Sequence, residues 1–124
     1  MARILIVDDE LGMRVTTNAF LKNAGYETHV AEDGKVAWDY LTREGSTSEG
    51  KVDLVLTDHL MPIMDGLELT RRIRADEGLS GLKIIIYSGG TTNKEEALVA
   101  CADGFLEKPV GKATLLETVG KYFS

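Results

Sequence analysis

The chain has 124 residues, of which 44% are hydrophobic and 27% charged, and a formal net charge of −6. That length implies one domain, residues 1–124, with a real core, and the acidic balance argues against nucleic acid as a direct partner, since the phosphate backbone needs a basic face. A single cysteine excludes an internal disulfide, the apolar runs are too short to cross a membrane, and Met1-Ala2-Arg3 enters the first strand with no room for a signal peptide, so a cytoplasmic protein is expected.

Residues 4–7 form a continuous Ile-Leu-Ile-Val run, as a central strand covered on both faces requires. The next segment places Met13, Thr17, Phe20, Leu21 and Ala24 on one helical face. Gly25 then supplies the left-handed residue that commonly ends a helix. Residues 26–31 read as a second, more polar strand suited to a sheet edge, and His29 within it carries no functional signal. Asp33-Gly34 opens a helix with Val36, Ala37, Tyr40 and Leu41 inward. The Gly/Ser/Thr-rich stretch 45–50 reads as a loop.

Residues 52–57 are a third strand. The loop 58–66 leads into a helix with Leu67, Thr70 and Ile73 inward and Arg71, Arg72 and Arg74 on its solvated face. Residues 82–87 are strongly β-forming, and 93–102 are helical, with Cys101 a small buried side chain. A short fifth strand spans 104–107. A last helix runs to the C-terminus, with Leu115, Leu116, Val119, Tyr122 and Phe123 as its core stripe.

Strict β-α alternation implies parallel strands with right-handed crossovers, hence an α/β three-layer sandwich. Ligands of such sheets bind beyond the carboxyl ends of the strands. Polar residues stand at those ends: Asp8 and Asp9 after the first strand, Asp58 after the third, Ser88 after the fourth and Lys108 after the fifth. Parallel strands bring all of them to one edge. Mg²⁺ seeks hard oxygen ligands, which the three carboxylates and backbone carbonyls after Asp58 can offer. Without a cation, acids this close repel. A carboxylate beside such a cation can attack phosphorus and form an acyl phosphate, with Lys108 and Ser88 bracketing the transferring oxygens. Lys108 has two roles open to it, an ion pair to Asp8 or Asp9 and a phosphate ligand in the alternate state.

The set Asp8-Asp9, Asp58-His59-Leu60-Met61-Pro62, Met64-Asp65-Gly66, Ser88 and Lys108-Pro109, in order and at strand ends, resembles the response-regulator receiver domain of bacterial two-component signalling. The resemblance spans essentially the whole chain. It implies a flavodoxin-like (βα)5 sandwich with strand order 2-1-3-4-5. It implies Asp58 as phospho-acceptor, served by a sensor histidine kinase, a phosphotransfer protein or a small acyl-phosphate donor. It implies Mg²⁺ as cofactor, with Mn²⁺ as a substitute. Asp9 would then be the direct metal ligand, with Asp58 and the backbone carbonyl of Leu60, while Asp8 acts mainly through metal-bound water. Ser88 matches the hydroxyl that turns toward the phosphate, Lys108 matches the family's cation, and the bond before Pro109 resembles the family's cis linkage.

Phe105 matches the aromatic that rotates inward after the hydroxyl moves, with permanent core packing as the other reading. The switched face of fourth helix, fifth strand and fifth helix would bind a downstream protein target. Such a chain is a signalling switch that catalyses only its own phosphorylation and dephosphorylation, with no membrane contact.

Two departures from the family pattern concern the phosphoryl lifetime. Leu60 and Gly90, two residues beyond Asp58 and Ser88, cannot orient an attacking water, which predicts slow self-dephosphorylation. Gly89-Gly90 makes the loop after Ser88 pliant. His59, beside the acceptor, reads as a solvent-side residue, with tuning of donor access as the other reading. A flavin or nucleotide domain would need a Gly- or Ser/Thr-rich phosphate loop where Asp8-Asp9-Glu10 stands. The other readings are a Mg²⁺-dependent aspartyl-phosphate phosphatase, which would need a second acid beside the nucleophile and a cap, and a receiver-like scaffold without phosphorylation, whose acceptor site would usually be broken.

Overall fold

The structure, a computed structural model, describes residues 2–43, 50–89 and 94–123. Its strands are β1 (Arg3–Val7), β2 (Glu27–Ala31), β3 (Leu54–Thr57), β4 (Lys83–Ser88) and β5 (Gly104–Glu107). They pair in parallel in the order β2-β1-β3-β4-β5, as expected from the sequence. Five helices among the described residues alternate with them: α1 (Leu11–Asn23), α2 (Gly34–Arg43), α3 (Gly66–Ala75), α4 (Lys94–Val99) and α5 (Lys112–Gly120).

Each interior strand is apolar on both sides, and its period of two divides the core into two layers. Leu5, Val7, Val55, Ile84 and Ile86 pack with Ala37, Leu41, Leu67, Ile73 and Ala97, beneath α2, α3 and α4. Ile4, Ile6, Leu54, Leu56, Ile85 and Tyr87 pack with Leu21, Leu115 and Val119, beneath α1 and α5. The polar strand β2 lies at the sheet edge, where its exposed residues cost nothing.

Helix ends explain most departures from the sequence reading. After α1, Gly25 has φ 99°, and the bonds Gly25 N–H to Lys22 O (3.0 Å) and Tyr26 N–H to Leu21 O (3.2 Å) form a Schellman stop. Ala24 is the cap residue and is exposed, not on the buried face. The same stop recurs after α4, with Cys101 at φ 72° in the position glycine usually takes. There Cys101 N–H bonds Leu98 O (2.9 Å) and Ala102 N–H bonds Ala97 O (3.0 Å). The helix therefore ends at Val99, well short of residue 102, and the turn throws Cys101 into solvent while Ala100 and Ala102 stay buried. Asn93, Gly90 and the loop 45–49 lie outside the described residues.

Three further expectations change. Val36 flanks the buried Gly34, Ala37 and Leu41 stripe of α2 and is 39% exposed. Val52 is buried, but the ladder of β3 begins only at Leu54. Arg71 and Arg72 are exposed as expected, but Arg74 is not a solvated residue. Its guanidinium reaches the carbonyls of Ser80 (3.0 Å), Leu82 (2.5 Å) and Cys101 (2.8 Å) and the Asp103 carboxylate (2.7 Å). It ties the end of α3 to the turns that lead into β4 and β5. The stripe of α5 holds through Leu115 and Val119, while the helix itself stops at Gly120 and leaves Phe123 36% exposed.

Candidate functional site

Register places the polar residues side by side. Val7 pairs with Thr57, and Thr57 with Ile86, so Asp8 and Asp58 leave neighbouring strands at the same level. The bonds Asp58 N–H to Val7 O (2.9 Å), Asp8 N–H to Ala31 O (3.1 Å) and Lys108 N–H to Ser88 O (3.0 Å) carry the ladder to the rim. One oxygen from each of Asp8, Asp9 and Asp58 lies within 4.8 Å of the others. Asp8 and Asp58 are buried and Asp9 is exposed, so the cluster opens to solvent on the Asp9 side.

Lys108 closes the group from the opposite strand. Its Nζ lies 3.2 Å from Asp8 Oδ2 and 3.2 Å from Asp58 Oδ2. One ammonium is thus shared by two carboxylates, with a third acid beside them. Burial raises the Asp58 pKa above the usual carboxylate range, and Lys108 does not fully offset it. Burial pulls Lys108 down, but Asp58 and Asp8 outweigh it and hold the ammonium above its ordinary value. The remaining oxygens are also held: Asp58 Oδ1 accepts from His59 N–H (2.7 Å) and Asp8 Oδ1 from Glu10 N–H (2.9 Å). Ser88 is buried at the end of β4, and its hydroxyl donates to Gly89 O at 3.4 Å. The Lys108-Pro109 bond is cis. Phe105 is partly buried against the α2–α4 core layer.

The loop after Asp58 is held by close contact. Gly66 N–H bonds His59 O (2.8 Å), and a Cβ at Gly66 would collide with the Asp58 carbonyl oxygen. Asp65 caps α3 through its bond from Glu68 N–H (2.8 Å). The loop folding back onto α3 leaves His59 only 8% exposed, which corrects its solvent-side reading. Between them Met64 N–H bonds Pro62 O (2.8 Å) around Ile63, whose φ is 71°. That is a γ-turn of the rare strained kind, here with a β-branched residue at its centre. Leu60 is exposed.

One member of the site escaped the sequence reading. Tyr87, taken as the end of an apolar run, donates its hydroxyl to Asp8 Oδ2 at 2.6 Å. The signal was present, because a tyrosine on a strand covered on both faces must find a partner for its hydroxyl. Burial, and then Asp8 beside it, raise its pKa far above the ordinary value, so it stays a donor.

Three hard oxygen donors around a shared centre, open to water on one side, fit Mg²⁺ and its preference for few protein ligands plus waters. The pattern of the response regulator receiver domain matches residues 4–120. The chain belongs to the response regulator receiver domains. The chemotaxis protein CheY-3 of Vibrio cholerae is 36% identical over 124 residues, covering 98% of this chain and 91% of that protein. The two-component response regulator ORR41 of Oryza sativa subsp. japonica is also 36% identical, with 98% and 94% covered. The solved structure of the chemotaxis response regulator CheY4 of V. cholerae superposes with a TM-score of 0.87 at 30% identity, covering 98% of each chain. The molecule is therefore a phospho-accepting receiver domain of two-component signal transduction, with its acidic pocket in place. No helix among the described residues is long and apolar enough to cross a membrane.

Proposed function

We propose that Asp58 is the phospho-acceptor of this receiver domain and that Asp8, Asp9, Asp58 and the Leu60 carbonyl form its Mg²⁺ site, with Mn²⁺ as a substitute. The observation that carries this reading is the shared Lys108 ammonium, 3.2 Å from both Asp8 and Asp58 at the rim of the sheet. Bound Mg²⁺ would supply positive charge to the oxygens of the transferring phosphoryl group. Asp9, the exposed acid, suits direct ligation. Asp8, with both oxygens already accepting hydrogen bonds from the protein, suits contact through a metal-bound water.

An Asp58 oxygen attacks phosphorus, and the donor's bond to phosphorus breaks with its electron pair leaving on the donor. The donor is a sensor histidine kinase, a phosphotransfer protein or a small acyl phosphate. The acyl phosphate carries more negative charge than the carboxylate it replaces. Lys108 shifts from the Asp8–Asp58 pair to the phosphoryl oxygens, and the Ser88 hydroxyl turns to donate to one of them. A population shift needs contacts that differ between the two states, and these two differ. Phe105, at the start of β5 and only partly buried, follows Ser88 inward.

The face of α4, β5 and α5 then binds a downstream protein. On α4, Leu98 and Val99 are 50% and 77% exposed, apolar surface suited to a partner. The chain works as one switch domain over residues 1–124. It acts on its own phosphorylation state and not on an outside substrate.

Incubation with Mg²⁺ and acetyl phosphate, followed by intact-mass measurement of the parent and of Asp58→Asn, tests the reading. A phosphoryl adduct on the parent alone is expected. No adduct, or an equal one on the variant, would refute it. Leu60 and Gly90 offer no group to orient water, so the adduct should persist far beyond seconds without a phosphatase.

A further inference from the structure

We propose that Tyr87 is a positioning residue of the metal and phosphoryl site: its hydroxyl fixes the Asp8 carboxylate and its ring face seats Lys108. The inference rests on the reading that Asp8, Asp9 and Asp58 surround Mg²⁺. Tyr87 is 1% exposed, with its ring packed among Ile4, Ile6, Leu56, Leu115 and Val119 in the α1–α5 core layer. The ring therefore has no freedom to move, and whatever its polar end holds is held to the core.

That end holds a fully buried carboxylate. Asp8 Oδ2 accepts the Tyr87 hydroxyl at 2.6 Å and Lys108 Nζ at 3.2 Å, while Oδ1 accepts Glu10 N–H at 2.9 Å. Behind the tyrosine, Thr17 of α1 is also buried. The Tyr87–Asp8 bond thus joins β4 to the end of β1. The Lys108 ammonium also lies 4.7 Å from the centre of the Tyr87 ring, within cation–π range. One rigid side chain touches both the acid and the base of the pocket.

The consequence is specific. Without the hydroxyl, Oδ2 keeps Lys108 as its close donor, and Asp8 draws that ammonium toward itself and away from Asp58. The carboxylate plane also loses one of its fixed points relative to Asp9 and Asp58. Groups that orient a metal-binding carboxylate typically matter by tenfold or more in metal affinity. Tyr87→Phe removes only the oxygen and leaves the ring to fill the core.

Calorimetric titration of Mg²⁺ into the metal-free parent and into Tyr87→Phe, with thermal melts of both in EDTA, tests this. The parent should bind Mg²⁺ at one site, and the variant about tenfold more weakly, while still unfolding cooperatively. A purely structural hydroxyl would lower the melting temperature and leave the Mg²⁺ Kd within twofold, and that result overturns the inference while sparing the site. A parent that binds no Mg²⁺ overturns the site reading and the inference with it. Should Tyr87→Phe fail to fold, Tyr87→Met fills the core with a flexible apolar side chain and no hydroxyl. It should weaken Mg²⁺ binding about tenfold as well, and an unchanged Kd there refutes the proposal.

Discussion

Replacing Asp58 by asparagine should make the metal-free domain more stable, although it removes one partner of an ion pair. At an effective dielectric near 20, Lys108 at 3.2 Å attracts the Asp58 carboxylate by about 5 kcal/mol, and an acid oxygen no more than 4.8 Å away repels it by about 3 kcal/mol or more. The Asp8 repulsion offsets part of the Lys108 attraction. The cost of burying the charge then decides, and it is the leading reason the Asp58 pKa is raised. Asparagine has nearly the same shape and no charge to desolvate, and Lys108 keeps Asp8.

A gain of about 1–2 kcal/mol follows, or roughly 3–8 °C in Tm for a domain of this size. The pH dependence has a definite sign. A raised folded-state pKa means that the folded chain holds the proton more tightly than the unfolded chain. The stability from this group is thus present below the unfolded value and lost as pH rises through the folded value. The advantage of Asp58→Asn should accordingly be largest near neutral pH and shrink as acid protonates Asp58. Thermal melts in EDTA at low salt, at neutral pH and again at about pH 4, measure both. A variant that melts at or below the parent at neutral pH refutes the reasoning.

Other perturbations probe the scaffold of the site. Gly66→Ala drives a Cβ into the Asp58 carbonyl oxygen; it should cost about 2 kcal/mol or more in urea unfolding and slow phosphorylation by acetyl phosphate. Ile63→Gly relieves a positive φ at a residue 80% exposed, so it should add about 1 kcal/mol of stability, and a loss would contradict the strained γ-turn. Arg74→Ala removes the donor shared by the carbonyls of Ser80, Leu82 and Cys101 and the Asp103 carboxylate, mostly at exposed positions, which should cost about 1–2 kcal/mol in equilibrium unfolding. Arg74→Lys should recover less than half of that, because one ammonium cannot span the same four acceptors.

The alternation of apolar runs and amphipathic segments, with polar residues at each strand's end, was sufficient for the parallel sheet and for bringing Asp8, Asp9, Asp58, Ser88 and Lys108 to one edge. Strand direction and pleat are local properties, and the crossover rule leaves little choice of handedness. Tertiary structure decided what depends on chain segments far apart. Arg74 looks solvated on its own helix and is not, because the turns leading into β4 and β5 present carbonyls to it. Cys101 looks buried by its neighbours and is not, because the helix stops three residues early in a left-handed turn without glycine. His59 is covered only because the loop folds back onto Gly66. Tyr87 became part of the site through a carboxylate 79 residues away in sequence. A hydrogen bond of that separation is a product of register and packing, which no local pattern of residues encodes.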